Sequence, residues 1–508
     1  MCGILGLIGP DDVARELAFG LTALQHRGQD AAGLVTFDRA FRIKKGNGLV
    51  GQLFHDGVLA RLAAPAGLGH VRYATQGPVD PAQAQPIYMN YPFGVAMVHN
   101  GNVTNAPALA RRLQRDHRVI ETANDLELLL YTFADGLEQR QVAALTPDDV
   151  FAAVEGVQTS VEGAYAVLTL LANRGLVGFT DPCGIRPLVL GKRVTGKGPV
   201  YAFASETAGL DALGYQTIAE LGPGEAVFID AERRIHARTL VQRPPAFCLF
   251  EYIYFAREDS VLRGRLVAEE RVAMGRRLAR PLLAAGLRPD VIIDVPTSAY
   301  FFAEGLADEL KVPYRRGFAK NKYVGRSFLF PTPELRQRAV RQKLAPLPNV
   351  IRGKKVAVVD DSIVRGTTSR HLVELVREGG AAAVYFVSAA PPVRHPCVYG
   401  IDMSIRTELI AANNDLPDIA RYIGADAVIY QDLDDLRALY PAGQWCDACF
   451  SGCFPTAVDR ACFDRIEQER VRAQQPVATE PPAARPGPAS YSGAISAWPT
   501  NGGTSHEA

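Results

Sequence analysis

Three runs of buried-strand character, VIIDV at 291–295, VAVVDD at 356–361 and AVYFVS at 383–388, each couple to an amphipathic stretch such as 299–310 or 368–378. Continuous β-branched runs suit strands covered on both faces, and their alternation with helical stretches predicts βαβ units around a parallel sheet. The first 240 residues read differently. Short alternating or apolar runs, GILGLIG, GLVTFD, GLGHVRYAT, FGVAMVHNG, GAYAVLTLL, GLVGFT and EAVFID, stand between turn signals, with helix-like stretches at 13–25, 124–137 and 148–159. That pattern predicts largely antiparallel sheets in an α+β layering. At 508 residues the chain exceeds one compact domain, and the change of texture near QRPPAF, 242–247, divides it into 2–241 and 242–473. Pro, Ala, Ser, Gly and Thr dominate 474–508, which is expected to be a disordered tail.

Fifty-five basic residues against fifty-four acidic ones give a net charge of +1. No global field then favours nucleic acid or a membrane surface, and an anionic ligand must be held locally. No run approaches the roughly eighteen apolar residues of a membrane span, and no basic region followed by an apolar stretch opens the chain. A cytoplasmic protein is expected. Its eight cysteines, at 2, 183, 248, 397, 446, 449, 453 and 462, then read as thiols, catalytic groups or metal ligands rather than disulfides.

The stretch VAVVDDSIVRGTTS, 356–369, delivers Asp360 and Asp361 to the carboxyl end of a buried strand, where parallel α/β sheets bind ligands. A Gly-containing turn follows, and its backbone N–H groups and the hydroxyls of Thr367, Thr368 and Ser369 suit a phosphate. An Asp cap before a Ser/Thr-rich helix start would account for single residues here. Adjacent carboxylates above such a cradle could instead hold sugar hydroxyls and a hydrated Mg²⁺. The stretch resembles the phosphoribosyl pyrophosphate (PRPP) signature of type I phosphoribosyltransferases. The resemblance implies an α/β domain with the 5′-phosphate in Arg365, Gly366, Thr367, Thr368 and Ser369 and the ribose on the aspartates. It makes VIIDVPTSAY the pyrophosphate and Mg²⁺ loop, with Ser298, Asp360 and Asp361 toward the metal. FAKNKYVGRSF, 318–328, is then the loop that closes over PRPP, with Lys320, Lys322, Gly325 and Arg326. Loss of pyrophosphate from C1 needs charge stabilisation on the leaving group and exclusion of water.

Cys2 follows Met1 directly. It suits a small buried residue at a strand start, or a nucleophile whose α-amine, freed by removal of Met1, serves as base with a pKa of about 7.7 to 8. LQHRGQDAAG (24–33), GHVRYATQG (69–77), VHNGNVTN (98–105) and NDLELL (124–129) together with Cys2 resemble the class II glutamine amidotransferase domain, an N-terminal-nucleophile hydrolase with an αββα sandwich. The resemblance implies that Cys2 attacks the side-chain amide of glutamine, that Asn100 and the N–H of Gly101 form the oxyanion hole, and that Arg72 and Asp125 hold the α-carboxylate and ammonium of glutamine.

The two halves in this order, with EYIYFARED (251–259) and CFSGCFPT (449–456), resemble the amidophosphoribosyltransferase family from Cys2 to about Pro455. That implies hydrolysis of glutamine at Cys2, passage of ammonia between domains and its attack on C1 of PRPP. The products would be 5-phospho-β-D-ribosylamine, pyrophosphate and glutamate, at the committing step of purine synthesis. Family membership also implies a homotetramer inhibited by purine nucleotides. A glucosamine-phosphate synthase or asparagine synthetase would need sugar-isomerase or ATP-pyrophosphatase motifs in place of the PRPP loop. A PRPP-sensing transcription regulator would need a basic helix-turn-helix and would have no use for Cys2.

Cys446 and Cys449 form a CxxC, which alone leaves zinc, iron–sulfur, a redox pair and chance open. One branch of the family carries a [4Fe–4S] cluster on cysteines whose contexts match Cys248, Cys397, Cys446 and Cys449, and four thiolates are the usual complement. Cys453 lies close enough in sequence to compete, whereas Cys183 and Cys462 read as structural. Relatives with the cluster often carry a propeptide; here only Met1 precedes Cys2, so methionine removal is expected to suffice. Two further departures, Glu258 where proline is common and GRSF where GRTF is usual, touch no candidate catalytic group.

Overall fold

The computed structural model describes residues 1–73, 83–140, 145–321, 344–403, 405–441 and 443–474. Gly3–Ile8 runs through the middle of a seven-stranded sheet in the order Gln216–Glu220, Val189–Thr195, Gly198–Ala204, Gly3–Ile8, Ala66–Arg72, Ala31–Phe37, Phe41–Asn47. A six-stranded sheet takes Ile235–Thr239, Glu225–Asp230, Gly175–Thr180, Gly163–Leu171, Val95–Val103 and Ile87–Met89 in that order. All pairings in both sheets are antiparallel.

Side chains alternate across a strand, so each sheet has two apolar faces to cover. The inner faces cover one another: Ile4, Val35 and Leu68 pack with Val98, Leu168 and Ile229. Outside the first sheet, Leu5 and Leu7 meet Leu17 and Leu21 of helix Ala14–Ala23. Outside the second, Met97 and Val167 meet Phe133 of helix Asp125–Glu138 and Val154 of helix Pro147–Ser160. The four layers are the expected αββα sandwich.

The second half is built on a four-stranded parallel sheet ordered Val291–Asp294, Lys355–Asp360, Ala383–Ser388, Ala427–Tyr430. Helices Tyr300–Leu310 and Thr367–Glu378 follow its first two strands, as the sequence pattern predicts. All four residues of Val291–Asp294 are buried. After Thr239 the chain crosses over and pairs Phe247–Cys248 in parallel with Trp445–Cys446. Met1, Ala164, Cys183 and Ile185 of the first half share one continuous core with Phe247, Leu249 and Tyr252 of the second, so the halves are welded rather than tethered. Gln474 ends the helix Arg460–Gln474, and the rest of the expected tail lies outside the described residues.

Candidate active sites

Cys2 sits half-buried just ahead of the first strand, and its backbone N–H donates to Asn100 Oδ1 at 3.0 Å. Asn100 lies within Val95–Val103 opposite Ala166 and is fully buried. Its Nδ2 has no hydrogen-bond partner among the described residues. An amide donor buried without an acceptor costs about 1–3 kcal/mol, so the structure keeps a donor ready beside Cys2. Gly101 follows in the strand, where a Cβ would stand 1.9 Å from the Ala164 carbonyl oxygen; only glycine lets the two strands lie this close.

Arg72 ends the strand Ala66–Arg72, and the register Gly3↔Val71 continues to bring it across from Cys2. Asp125 opens its helix beside the cap Asn124, whose side chain accepts from Leu126 N at 3.1 Å. Asp125 Oδ2 accepts from Val103 N at 2.8 Å, and Oδ1 lies 3.3 Å from His99 Nε2. Burial pushes this carboxyl up, but the His99 ring and the Val103 N–H outweigh it and hold it below the usual range. With Met1 present the α-amine belongs to Met1: it donates to Gly400 O at 3.0 Å, and burial lowers it to about 6.

At the second site Asp360 ends its strand and Asp361 follows, both buried. Asp361 N donates to Asp360 Oδ1 at 2.9 Å, Ser362 Oγ donates to Asp361 Oδ1 at 2.7 Å, and Ser298 hydrogen-bonds the Asp361 carboxyl. The two loops at the sheet edge therefore meet. Burial and the neighbouring Asp361 raise Asp360 well above its usual value; burial raises Asp361 too, against Ser298, Ser362 and Arg271. Two desolvated carboxylates side by side are a site prepared for a cation or for hydroxyl donors.

Gly366 takes the left-handed conformation with φ 76° before the twelve-residue helix Thr367–Glu378, whose first residues Thr367 and Thr368 are exposed. Ser369 is buried. Arg365 is paired with Glu408 at 2.6 Å. Lys320 is exposed at the end of Phe318–Lys320, opposite Leu344. Lys322, Gly325 and Arg326 lie outside the described residues.

Four cysteines lie close enough to interact electrostatically. Cys248 and Cys446 are register partners in the parallel two-residue ladder, Cys449 lies in the short helix Ala448–Ser451, and Cys397 N donates to Met403 O at 2.8 Å. All are buried and none is in a disulfide. Cys449 interacts electrostatically with the other three. Burial pushes the Cys248 thiol up to about 11 and those of Cys446 and Cys449 well above the usual range. Cys453 is exposed; Cys183 and Cys462 are buried elsewhere. Among the described residues no three His, Cys, Asp or Glu side chains form a group that could hold a metal ion.

Sequence reasoning missed His99, Arg27, Glu206 and Glu251. His99, Arg27 and Glu251 each stood inside a quoted motif and Glu206 in none, and a charged residue in an isolated stretch reads as solvent-facing. Arg27 donates from Nε to the Cys2 carbonyl at 3.0 Å, from Nη1 to Glu206 at 2.9 Å and from Nη2 to both oxygens of Glu251 at 2.9 and 3.0 Å.

The glutamine amidotransferase domain family matches residues 70–212 and the phosphoribosyl transferase domain family matches residues 266–400. The amidophosphoribosyltransferase of Pseudomonas aeruginosa is 45% identical over 483 residues, 92% of this chain and 96% of its own. The chain belongs to the amidophosphoribosyltransferase family. The Escherichia coli amidophosphoribosyltransferase is 43% identical over the same shares. Among solved structures, the glutamine PRPP amidotransferase from Bacillus subtilis, described as complexed with ADP and GMP, is 35% identical with a TM-score of 0.79, covering 90% of this chain and 98% of its own. The expected fold is borne out for both halves of an amidophosphoribosyltransferase. Arg72, Asn100, Gly101 and Asp125 fall in the first matched segment; Ser298, Lys320, Asp360 to Ser369 and Cys397 fall in the second.

Proposed function

We infer that the protein is a glutamine-dependent amidophosphoribosyltransferase: it hydrolyses glutamine and transfers the ammonia to C1 of PRPP, releasing pyrophosphate, in purine biosynthesis. The observation that carries the glutaminase half is Asn100, which accepts from the Cys2 N–H while its own Nδ2 stays buried and unpartnered. Once Met1 is removed, that nitrogen becomes the α-amine. It takes the thiol proton as Cys2 attacks the amide carbon of glutamine, Nδ2 of Asn100 and the N–H of Gly101 receive the developing oxyanion, and the amine returns a proton to the departing ammonia. Arg72 and Asp125 hold the carboxylate and ammonium of the substrate.

In the second half, Asp360 and Asp361 take the ribose hydroxyls, residues 365–369 the 5′-phosphate and the loop around Ser298 the pyrophosphate, while Lys320 and Arg326 belong to the loop that closes over PRPP. The buried carboxylate pair and Ser298 suit a bound Mg²⁺, which would supply positive charge to the leaving group. Four buried thiols that interact electrostatically with one another, with a cation beside them, suit a [4Fe–4S] cluster on Cys248, Cys397, Cys446 and Cys449; a cluster needs its ligands spread around four irons, not gathered on one ion. Neither half-reaction is a redox step, so that group would brace the fold. The Bacillus subtilis relative's bound ADP and GMP support feedback by purine nucleotides, and a cytoplasmic homotetramer belongs to the same family reading.

PRPP-dependent glutamate release in the wild type and Cys2→Ala, repeated with ammonia replacing glutamine, tests the assignment. Cys2→Ala is expected to lose glutamine use and keep ammonia use; normal glutamine turnover would remove Cys2 as nucleophile. Mass analysis is expected to find Cys2 as the first residue. Anaerobic protein is expected to hold about four irons and four sulfides per chain, and stoichiometric zinc would overturn the cluster.

A further inference from the structure

Arg27 and Arg186 are the largest fully buried side chains in the protein, and the chemistry above uses neither. Arg27 is fully engaged by Cys2, Glu206 and Glu251. Arg186 is not. Its Nη2 donates to Tyr399 O and its Nη1 stands 3.7 Å from Glu251 Oε1, but Nε and Nη1 have no hydrogen-bond partner among the described residues. A guanidinium buried with idle donors is costly unless a further anion stands within reach.

Its surroundings say what that anion would be. Ile185, the preceding residue, accepts from Cys248 N at 3.2 Å, and Tyr399, whose carbonyl Arg186 holds, donates its own N–H to Cys397 Sγ at 3.4 Å. Besides Glu251, the groups that act most strongly on Arg186 are Cys248, Cys397 and Cys446; Asp181 also faces it, but already accepts three backbone N–H groups. Both Glu251 oxygens are already taken by Arg27. The two arginines stand against Glu206 and Glu251, with His26 also paired to Glu206.

We propose that Arg186 is the counter-cation of the four-cysteine site and, through Glu251 and Arg27, ties the charge held there to the backbone of Cys2. The inference rests on the reading of those cysteines as cluster ligands. Four thiolates around an iron–sulfur core carry net negative charge, which gives the idle donors of Arg186 an acceptor. Arg186 then leaves Glu251 to Arg27, and Arg27 keeps its hold on the Cys2 carbonyl. With four neutral thiols, Arg186 is left to Asp181, already engaged by three backbone N–H groups, and to Glu251, which is then shared between two arginines, and this loosens Arg27 from Cys2. Arg186 touches no substrate and acts as a positioning residue.

The test compares anaerobically purified full-length wild type, Arg186→Gln and Arg186→Lys. Arg186→Gln is expected to retain about tenfold less iron and sulfide under a chelator challenge. Removing a positive charge also disfavours the reduced cluster, so its midpoint potential in a dithionite titration should fall. kcat/KM for glutamine should drop while ammonia-dependent turnover per loaded chain holds, and Arg186→Lys should recover the potential. Should Arg186→Gln fail to fold, Glu251→Gln supplies the same reading from the other side: the potential rises as a negative charge leaves, and glutamine use falls. Wild-type potential together with the wild-type ratio of glutamine to ammonia use in these variants overturns the proposal. Wild type devoid of iron and sulfide overturns the cluster reading itself, a separate outcome.

Discussion

Asn100 carries an acceptor and a donor on one side chain, and the two are separable. Its Oδ1 holds the Cys2 nitrogen at 3.0 Å and its Nδ2 waits for an oxyanion. Asn100→Asp keeps the first and loses the second. Its kcat with glutamine is expected to fall by roughly a hundredfold or more, about 2.7–4 kcal/mol of transition-state stabilisation, with ammonia-dependent turnover unchanged. Steady-state assays with each nitrogen source check this, and an equal loss with both would assign Asn100 to the fold instead. Such polar groups were legible because glutamine chemistry requires them at fixed places in short motifs. Arg27 was not. A buried arginine is tolerable only beside counter-charges, and one of its partners, Glu251, lies 224 positions away, a distance over which residue spacing carries no signal.

Among the elements, the turn from Asp181 to Arg186 decides whether Arg186 can stand where it does. Asp181 is buried and accepts from the N–H groups of Tyr165 at 3.1 Å, Cys183 at 2.9 Å and Ile185 at 3.0 Å. Burial nevertheless raises its carboxyl from 3.8 to about 6. A raised carboxyl binds its proton more tightly folded than unfolded, so its contribution to stability is full below pH about 3.8 and is lost as pH rises through about 6. The stability of wild type relative to Asp181→Asn should therefore decline across that window, as measured by urea unfolding at a series of pH values; a constant difference would mean that Asp181 does not titrate there. Strands such as Gly3–Ile8 and Val291–Asp294 and the helix Asp125–Glu138 were legible from their apolar runs, whereas the strand Val189–Thr195 and the helix Val267–Arg277, interrupted by charged residues, were not. The ladder of Phe247–Cys248 with Trp445–Cys446 was not, because two residues have no period.

The whole molecule is held as one unit by charges sealed inside its interdomain core. Glu206 and Arg27 come from the first half and Glu251 from the second, all with side chains fully buried. Exposed ion pairs weaken with salt, and buried ones are screened far less. Arg27→Met should cost about 3–5 kcal/mol, because it takes from the buried Glu251 the guanidinium that binds both its oxygens and from Glu206 one of its partners. Calorimetry should show the wild type melting in one salt-insensitive transition and the variant at lower temperature; an unchanged melting temperature would dismiss the cluster as a weld. The two-domain plan was legible from texture alone, whereas the continuity of the core across it was not, since the surfaces that meet look like ordinary apolar faces until both are folded.

The Met1 nitrogen reaches Gly400 O, and Asn102 Nδ2 reaches Val398 O at 2.8 Å. The amino end is the first part of the chain to leave a ribosome, yet part of its surroundings is supplied 399 residues later. At roughly 5–20 residues per second that delay is on the order of a minute. Throughout it, the thiol end of a nascent chain lacks one wall, and the wall arrives only after three of the four strands of the parallel sheet have been made. Birth order along the polypeptide thus sets a schedule, in which the surroundings of the first site are completed from inside the half that is still being made.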